Sequence, residues 1–221
     1  PASLKPYYAF YARYGMEVIE ALQHIIGRYR DEGIPVILDV KRGDIGKTAA
    51  AYADEAFSFF KADAVTLAPY MGLDSIKPFI DHSPDKGYYV LNRTSNKSAV
   101  DIQDLEVNGE PLYIKVSRKI LDWYHPGIGA VVGATYTREL SEIMDVFSSG
   151  NREVPLLIPG VGTQGGSASE VTEILRKYGD IRIHRINSSS GINYAYKRFE
   201  GMHFADAAVK ALNELNQEIG L

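Results

Sequence analysis

Short, continuously apolar runs alternate along this chain with longer stretches whose apolar residues recur every three or four positions. The runs fall at 35–40 (PVILDV), 64–68 (AVTLA), 88–92 (YYVLN), 130–134 (AVVGA), 155–159 (PLLIP) and 181–186 (IRIHRI). Unbroken apolarity, in place of strict alternation, predicts strands covered on both faces, as in a parallel sheet. Helices are predicted at 17–32, 47–60, 111–124, 137–147, 169–178 and 204–219; in the first, Val18, Ile19, Leu22, Ile25 and Ile26 share one face. A further strand is expected at 2–9. Strand starts roughly 25–40 residues apart fit βα units joined by right-handed crossovers. The pattern predicts an α/β fold, a (β/α)8 TIM barrel forming a single domain over 1–221. Seven of its strands are visible in the sequence, and the first barrel strand is expected to precede Pro1. Two loops follow strand ends, where such barrels build their sites: 93–110, rich in Ser, Asn, Asp and Gly, and the Gly-rich 160–169. A lid or ligand clamp is expected there.

Composition narrows the function classes. With 221 residues, 45% of them hydrophobic and 24% charged, the chain supports a packed core, which argues against disorder. A net charge of −4 offers no footprint for nucleic acid or an anionic membrane surface, although a local cation cluster can still take a small anion. The absence of cysteine excludes disulfides, thiolate chemistry and Cys-based zinc sites, and fits a cytoplasmic location. No apolar run approaches the roughly 20 residues of a membrane span, and 1–6 has no signal-peptide pattern. His24, His82, His125, His184 and His203 show no metal-ligand spacing, so surface or structural roles are expected and no metal site is assigned.

Candidate chemistry concentrates in Asp39-Val40-Lys41-Arg42-Gly43-Asp44-Ile45. Asp39 and Lys41, two apart at the end of a predicted strand, are expected to project to one face and to keep each other ionised. Asp44 falls at the head of the next helix. Each taken singly also reads as an ordinary ion pair or a helix cap. Together, four charges in six residues at a strand end point to use, because burying them is costly. A second element, Pro159-Gly160-Val161-Gly162-Thr163-Gln164-Gly165-Gly166, exposes glycine N–H groups able to cradle a phosphate, with Gln164 as a side-chain donor; as a bare pattern it also reads as a turn. Asn187-Ser188-Ser189-Ser190-Gly191 adds hydroxyls after the last strand. Tyr7, Tyr8 and Tyr11 read as packing residues.

Asp39-Val40-Lys41-Arg42-Gly43-Asp44-Ile45 with Thr48 resembles the D-x-K-x-x-D-I signature of orotidine 5′-monophosphate decarboxylases, and Gly46, Ala49, Tyr52 and Ala53 extend the likeness to the type 2 subgroup. Ala68-Pro69-Tyr70-Met71-Gly72, Arg93-Thr94-Ser95-Asn96, Val132-Gly133-Ala134-Thr135 and the glycine loop carry it along almost the whole chain. The resemblance implies a cofactor-independent carboxy-lyase that converts orotidine 5′-monophosphate to uridine 5′-monophosphate (UMP) in pyrimidine biosynthesis. It implies a charged network of Lys5, Asp39, Lys41 and Asp44, with Lys41 central. It also implies a homodimer in which Asp44 and Thr48 reach the neighbouring site. Ser95 is matched to the pyrimidine contact. Pro159, Gly162, Gln164, Gly165, Ser189 and Ser190 lie in the loops expected on the phosphate side. The sequence departs from the family twice: the strand bearing a ribose-binding aspartate has no counterpart, and Ser190 stands where type 2 members carry a phosphate-gripping arginine. Arg185, Lys197 and Arg198 are the nearby cations. Two other readings are a magnesium-dependent sugar-phosphate lyase sharing the D-x-K-x-x-D skeleton, and a catalytically dead barrel that only binds a nucleotide or partner.

Overall fold

Val36, Leu38, Val65, Leu67 and Val90 are wholly removed from solvent, and the runs that carry them form strands. The structure, a computed structural model, describes residues 2–162 and 165–220. Its strands are β1 (Ile37–Arg42), β2 (Ala64–Leu67), β3 (Gly87–Leu91), β4 (Glu106–Val107), β5 (Glu110–Pro111), β6 (Ile128–Val131), β7 (Leu156–Pro159) and β8 (Arg185–Asn187). Its helices are α1 (Tyr8–Ala12), α2 (Met16–Asp31), α3 (Gly46–Asp54), α4 (Lys77–His82), α5 (Leu112–Asp122), α6 (Thr137–Ser149), α7 (Ala168–Arg176), α8 (Ser190–Asn193) and α9 (Phe204–Ile219). Among the described residues no helix is long and apolar enough to cross a membrane.

Two compact units are distinguished. The first comprises Pro1–Asn92 and Lys119–Ala130. Its strands run in the order β1-β2-β3-β6, and β1 pairs with β2, and β2 with β3, in parallel. Leu4 and Tyr7 bridge to Val36 and Asp39, also in parallel, so the expected strand at 2–9 survives only as isolated pairings. Pro6, lying between them, has no N–H to give a continuous ladder, although its carbonyl accepts the Asp39 N–H at 3.0 Å. Helix α2 buries Ile19, Leu22 and Ile26, the centre of the predicted face. Helix α3 passes directly into a π-helical turn, Glu55–Phe59, whose Phe57 meets Phe79 and Tyr88 edge-on.

The second unit comprises Arg93–Arg118 and Val131–Leu221. Here β7 and β8 pair in parallel, with Pro159 opposite Asn187. The N–H groups of Val132 and Ala134 reach the carbonyls of Leu157 and Pro159 at 3.1 and 2.8 Å. Leu140 and Ile143 of α6, and Val171 and Leu175 of α7, supply the buried helical faces. The expected 93–110 loop contains a small hairpin, β4–β5, closed by Asn108 and Gly109, both left-handed as the tight primed turn requires.

His184 precedes β8 and is buried, its Nδ1 accepting the Leu156 N–H at 3.0 Å. A protonated ring nitrogen could not accept that bond. Burial, aided by the charge of Arg185 and opposed by Asp180, pushes the imidazole down to about 4. Because the folded value lies below the unfolded one, the stabilisation is complete above about pH 6.5 and is lost as pH falls toward 4. The interval corresponds to about 3 kcal/mol. Thermal unfolding followed between pH 7.5 and 4.5 is expected to show this loss, and His184→Gln is expected to flatten that part of the profile.

Candidate active site

At the end of β1 the ladder is irregular. Leu38 faces Val65, but the next pair is Arg42 with Leu67, so Asp39, Val40 and Lys41 together span the single position Thr66. The extra length is taken up at Lys41, whose φ of +46° is left-handed, unusual for a residue bearing a side chain. Asp39 and Lys41 do meet, as their spacing suggested, but through this bulge and not through simple strand alternation.

The Asp39 carboxylate lies at the centre of the cluster. Lys5 Nζ donates to its Oδ2 at 2.7 Å and Lys41 Nζ to its Oδ1 at 2.5 Å. The Lys5 and Asp39 side chains are 6% and 5% exposed, whereas Lys41 is 49% exposed, so the Lys41 side chain reaches the surface and the inner pair does not. Burial by itself would raise the Asp39 carboxyl. The charges of Lys5 and Lys41 and their hydrogen bonds outweigh it and hold the group below the usual carboxylate range. The Tyr7 ring lies 3.6 Å from Lys5 Nζ and 5.5 Å from Lys41 Nζ, so this tyrosine faces the cations and is more than packing. Arg42 pairs with Glu55 at 2.7 Å and stacks on Tyr52 and Tyr8, which anchors the strand end to the helix that follows.

Asp44 Oδ1 accepts the Ile45 N–H at 2.8 Å, just ahead of α3, whose start carries no side-chain cap. Among the described residues no ion pair joins it to Lys5 or Lys41 within this chain. Thr48 lies exposed on α3.

In the second unit, Arg93 is buried and pins the 93–110 loop. It donates from Nη2 to Asp104 at 3.0 Å, and its Nε approaches the other carboxylate oxygen at 2.7 Å, too bent to be a directed hydrogen bond. Its guanidinium stacks on Tyr136. Ser95 is set by Gly133: a Cβ on that glycine would lie 2.7–2.8 Å from Ser95 N, Cα and Cβ. Pro159 and Asn187 are strand partners, so the glycine loop and the Ser189–Ser190 turn start side by side. Gly160, Gly162 and Gly165 all adopt positive φ. The N–H groups of Gly162, Gly165 and Gly166 bond to carbonyls of the same loop, so these amides are engaged internally, unlike the open cradle expected from sequence. Thr163 and Gln164 lie outside the described residues. Ser190 begins α8. Of the cations near it, Arg185 donates to Arg182 and His184 carbonyls, Arg198 pairs with Glu214, and Lys197 lies over the Tyr194 ring.

The sequence profile of the orotidine 5′-phosphate decarboxylase / HUMPS family matches residues 2–198. The chain belongs to this family. An orotidine 5′-phosphate decarboxylase of Ralstonia nicotianae is 45% identical over 210 residues, covering 93% of this chain and 73% of the relative. One of Azoarcus sp. is 46% identical over 210 residues, covering 93% and 74%. Among solved structures, Leishmania donovani OMP decarboxylase superposes with a TM-score of 0.81 at 34% identity, covering 99% of this chain and 82% of that one. The α/β barrel class expected from the strand pattern is thereby the fold of the family. Sequence reasoning did not single out Thr66, the one polar residue of an apolar run, whose Oγ1 donates to Asp39 Oδ1 at 2.9 Å, or the orientation of Tyr7.

Proposed function

We propose that this chain decarboxylates orotidine 5′-monophosphate to UMP without a cofactor, as a type 2 member of its family, a single-domain cytoplasmic enzyme acting as a homodimer. The observation that carries the reading is the Lys5–Asp39–Lys41 array, a buried carboxylate held between two ammonium groups with only the Lys41 side chain reaching the surface. Loss of CO₂ leaves a carbanion-like centre at C6 of the pyrimidine. Lys41, fixed and charged beside Asp39, stabilises that charge and then gives its proton to C6. Asp39 next to the departing carboxylate adds ground-state repulsion. Asp44 and Thr48 serve the neighbouring subunit's site. Ser95 orients the pyrimidine, while Pro159, Gly162, Gln164, Gly165, Ser189 and Ser190 serve the phosphate side, where binding energy remote from C6 fixes the geometry.

A magnesium-dependent sugar-phosphate lyase is the competing reading. It would need Asp39 oxygens for a cation, and both already receive lysine ammonium groups. The purified protein is expected to turn over orotidine 5′-monophosphate, followed by the fall in substrate absorbance, at an undiminished rate after exhaustive chelation. Loss of turnover on chelation, restored by magnesium, would favour the competitor. Binding of UMP in a calorimeter without turnover would mark a barrel that only binds.

A further inference from the structure

Thr66 lies in the middle of β2 and is 1% exposed. Because three residues of β1 span its position, the N–H groups of Val40 and Lys41 point at its side chain: both donate to Thr66 Oγ1, at 3.1 and 2.9 Å. A hydroxyl has two lone pairs and one proton. With both lone pairs taken, the proton has one remaining direction, and Thr66 Oγ1 donates it to Asp39 Oδ1 at 2.9 Å. The same Oδ1 receives Lys41 Nζ. A closed ring results, from the Lys41 amide through Thr66 and Asp39 back to the Lys41 ammonium.

We propose that Thr66 is a positioning residue of the decarboxylation site, its hydroxyl holding Lys41 in the left-handed bulge while fixing Asp39 as an ionised acceptor. The claim rests on the reading of Asp39 and Lys41 as the reacting cluster. A left-handed backbone is disfavoured for any residue with a Cβ, so Lys41 needs an external hold, and Thr66 supplies one by accepting the Val40 and Lys41 amides together. The donated hydroxyl also discriminates protonation states, since an Asp39 protonated on Oδ1 could no longer accept it. Besides Thr66 from β2, Asp39 is faced by Lys5 from the segment before α1, by Lys41 from its own strand, and by the Tyr7 ring over the two ammonium groups.

The test compares Thr66→Val, which keeps the shape and removes the hydroxyl, with Thr66→Ser, which keeps the hydroxyl. Thr66→Val is expected to lower kcat roughly 10- to 100-fold, the range for losing a hydrogen bond to a charged group. KM is expected to change little. The acid limb of the kcat profile should move to higher pH, because Asp39 has lost an acceptor bond. Amide hydrogen exchange at Val40 and Lys41 should accelerate. Thr66→Ser is expected to restore the rate and return the acid limb to the wild-type position. Wild-type kcat in Thr66→Val, equal impairment in Thr66→Ser, or a slower rate with an unmoved acid limb would each overturn the proposal. If Thr66→Val does not fold, Thr66→Ala takes its place under the same criteria, and failure of both to fold would assign the hydroxyl to folding and end the claim. Exchange at Lys41 is read without substrate. It therefore tests the positioning even if the wild type proves inactive, a result that would count against the proposed activity and not against the hold on Lys41.

Discussion

Lys41→Ala is expected to leave a folded protein that still binds UMP and decarboxylates at least about 10⁴-fold more slowly than wild type, since it loses both the proton donor and the charge facing the carbanion. The fold should survive because the Lys41 side chain is half exposed and Asp39 keeps its buried partner, Lys5. Circular dichroism, calorimetric titration with UMP and the absorbance assay together separate the two effects. Turnover within tenfold of wild type would remove Lys41 from the chemistry. Replacement by arginine is not expected to rescue, because a guanidinium remains protonated and cannot deliver its proton.

Asp39→Asn is expected to damage both activity and stability. Lys5 Nζ, almost fully buried, would lose its carboxylate, and breaking such a pair costs about 3–5 kcal/mol. The pH dependence has a defined sign. Asp39 is held below its ordinary range, so its contribution is complete above the unfolded carboxylate value and is lost as pH falls through the lowered folded value. Melting curves of wild type and Asp39→Asn should therefore differ most near neutrality and converge in acid. Adding Lys5→Met to Asp39→Asn should recover much of the stability and none of the turnover. A double variant no more stable than Asp39→Asn would show that the unpaired lysine is not the source of the loss.

Where burial covers both faces of a strand or one regular stripe of a helix, the sequence is a close guide. The run 155–159 became β7, and 204–219 became α9 at the same bounds. At 181–186 alternating isoleucines could not reveal where the strand starts. Asp180 Oδ1 accepts the Arg182 N–H, winds Ile181–Ile183 into a 3-10 turn and delays β8 to Arg185. Helix α4 is six residues long, too short to display a period. The charged cluster was legible because its residues adjoin in sequence, apart from Lys5. The support from β2 was not, because Thr66 becomes a partner only through a backbone bulge, and local sequence carries no mark of that bulge. In the glycine loop, sequence identified residues able to adopt positive φ, but it could not show that three of the amides would be used by the loop itself.

Gly133 has a corollary for specificity. A methyl group at that position would push on the backbone as well as the side chain of Ser95, so, if Ser95 holds the pyrimidine as proposed, exchanging one hydrogen atom there would remodel that contact from behind. A change of ligand preference would then need no change in any group that touches the ring.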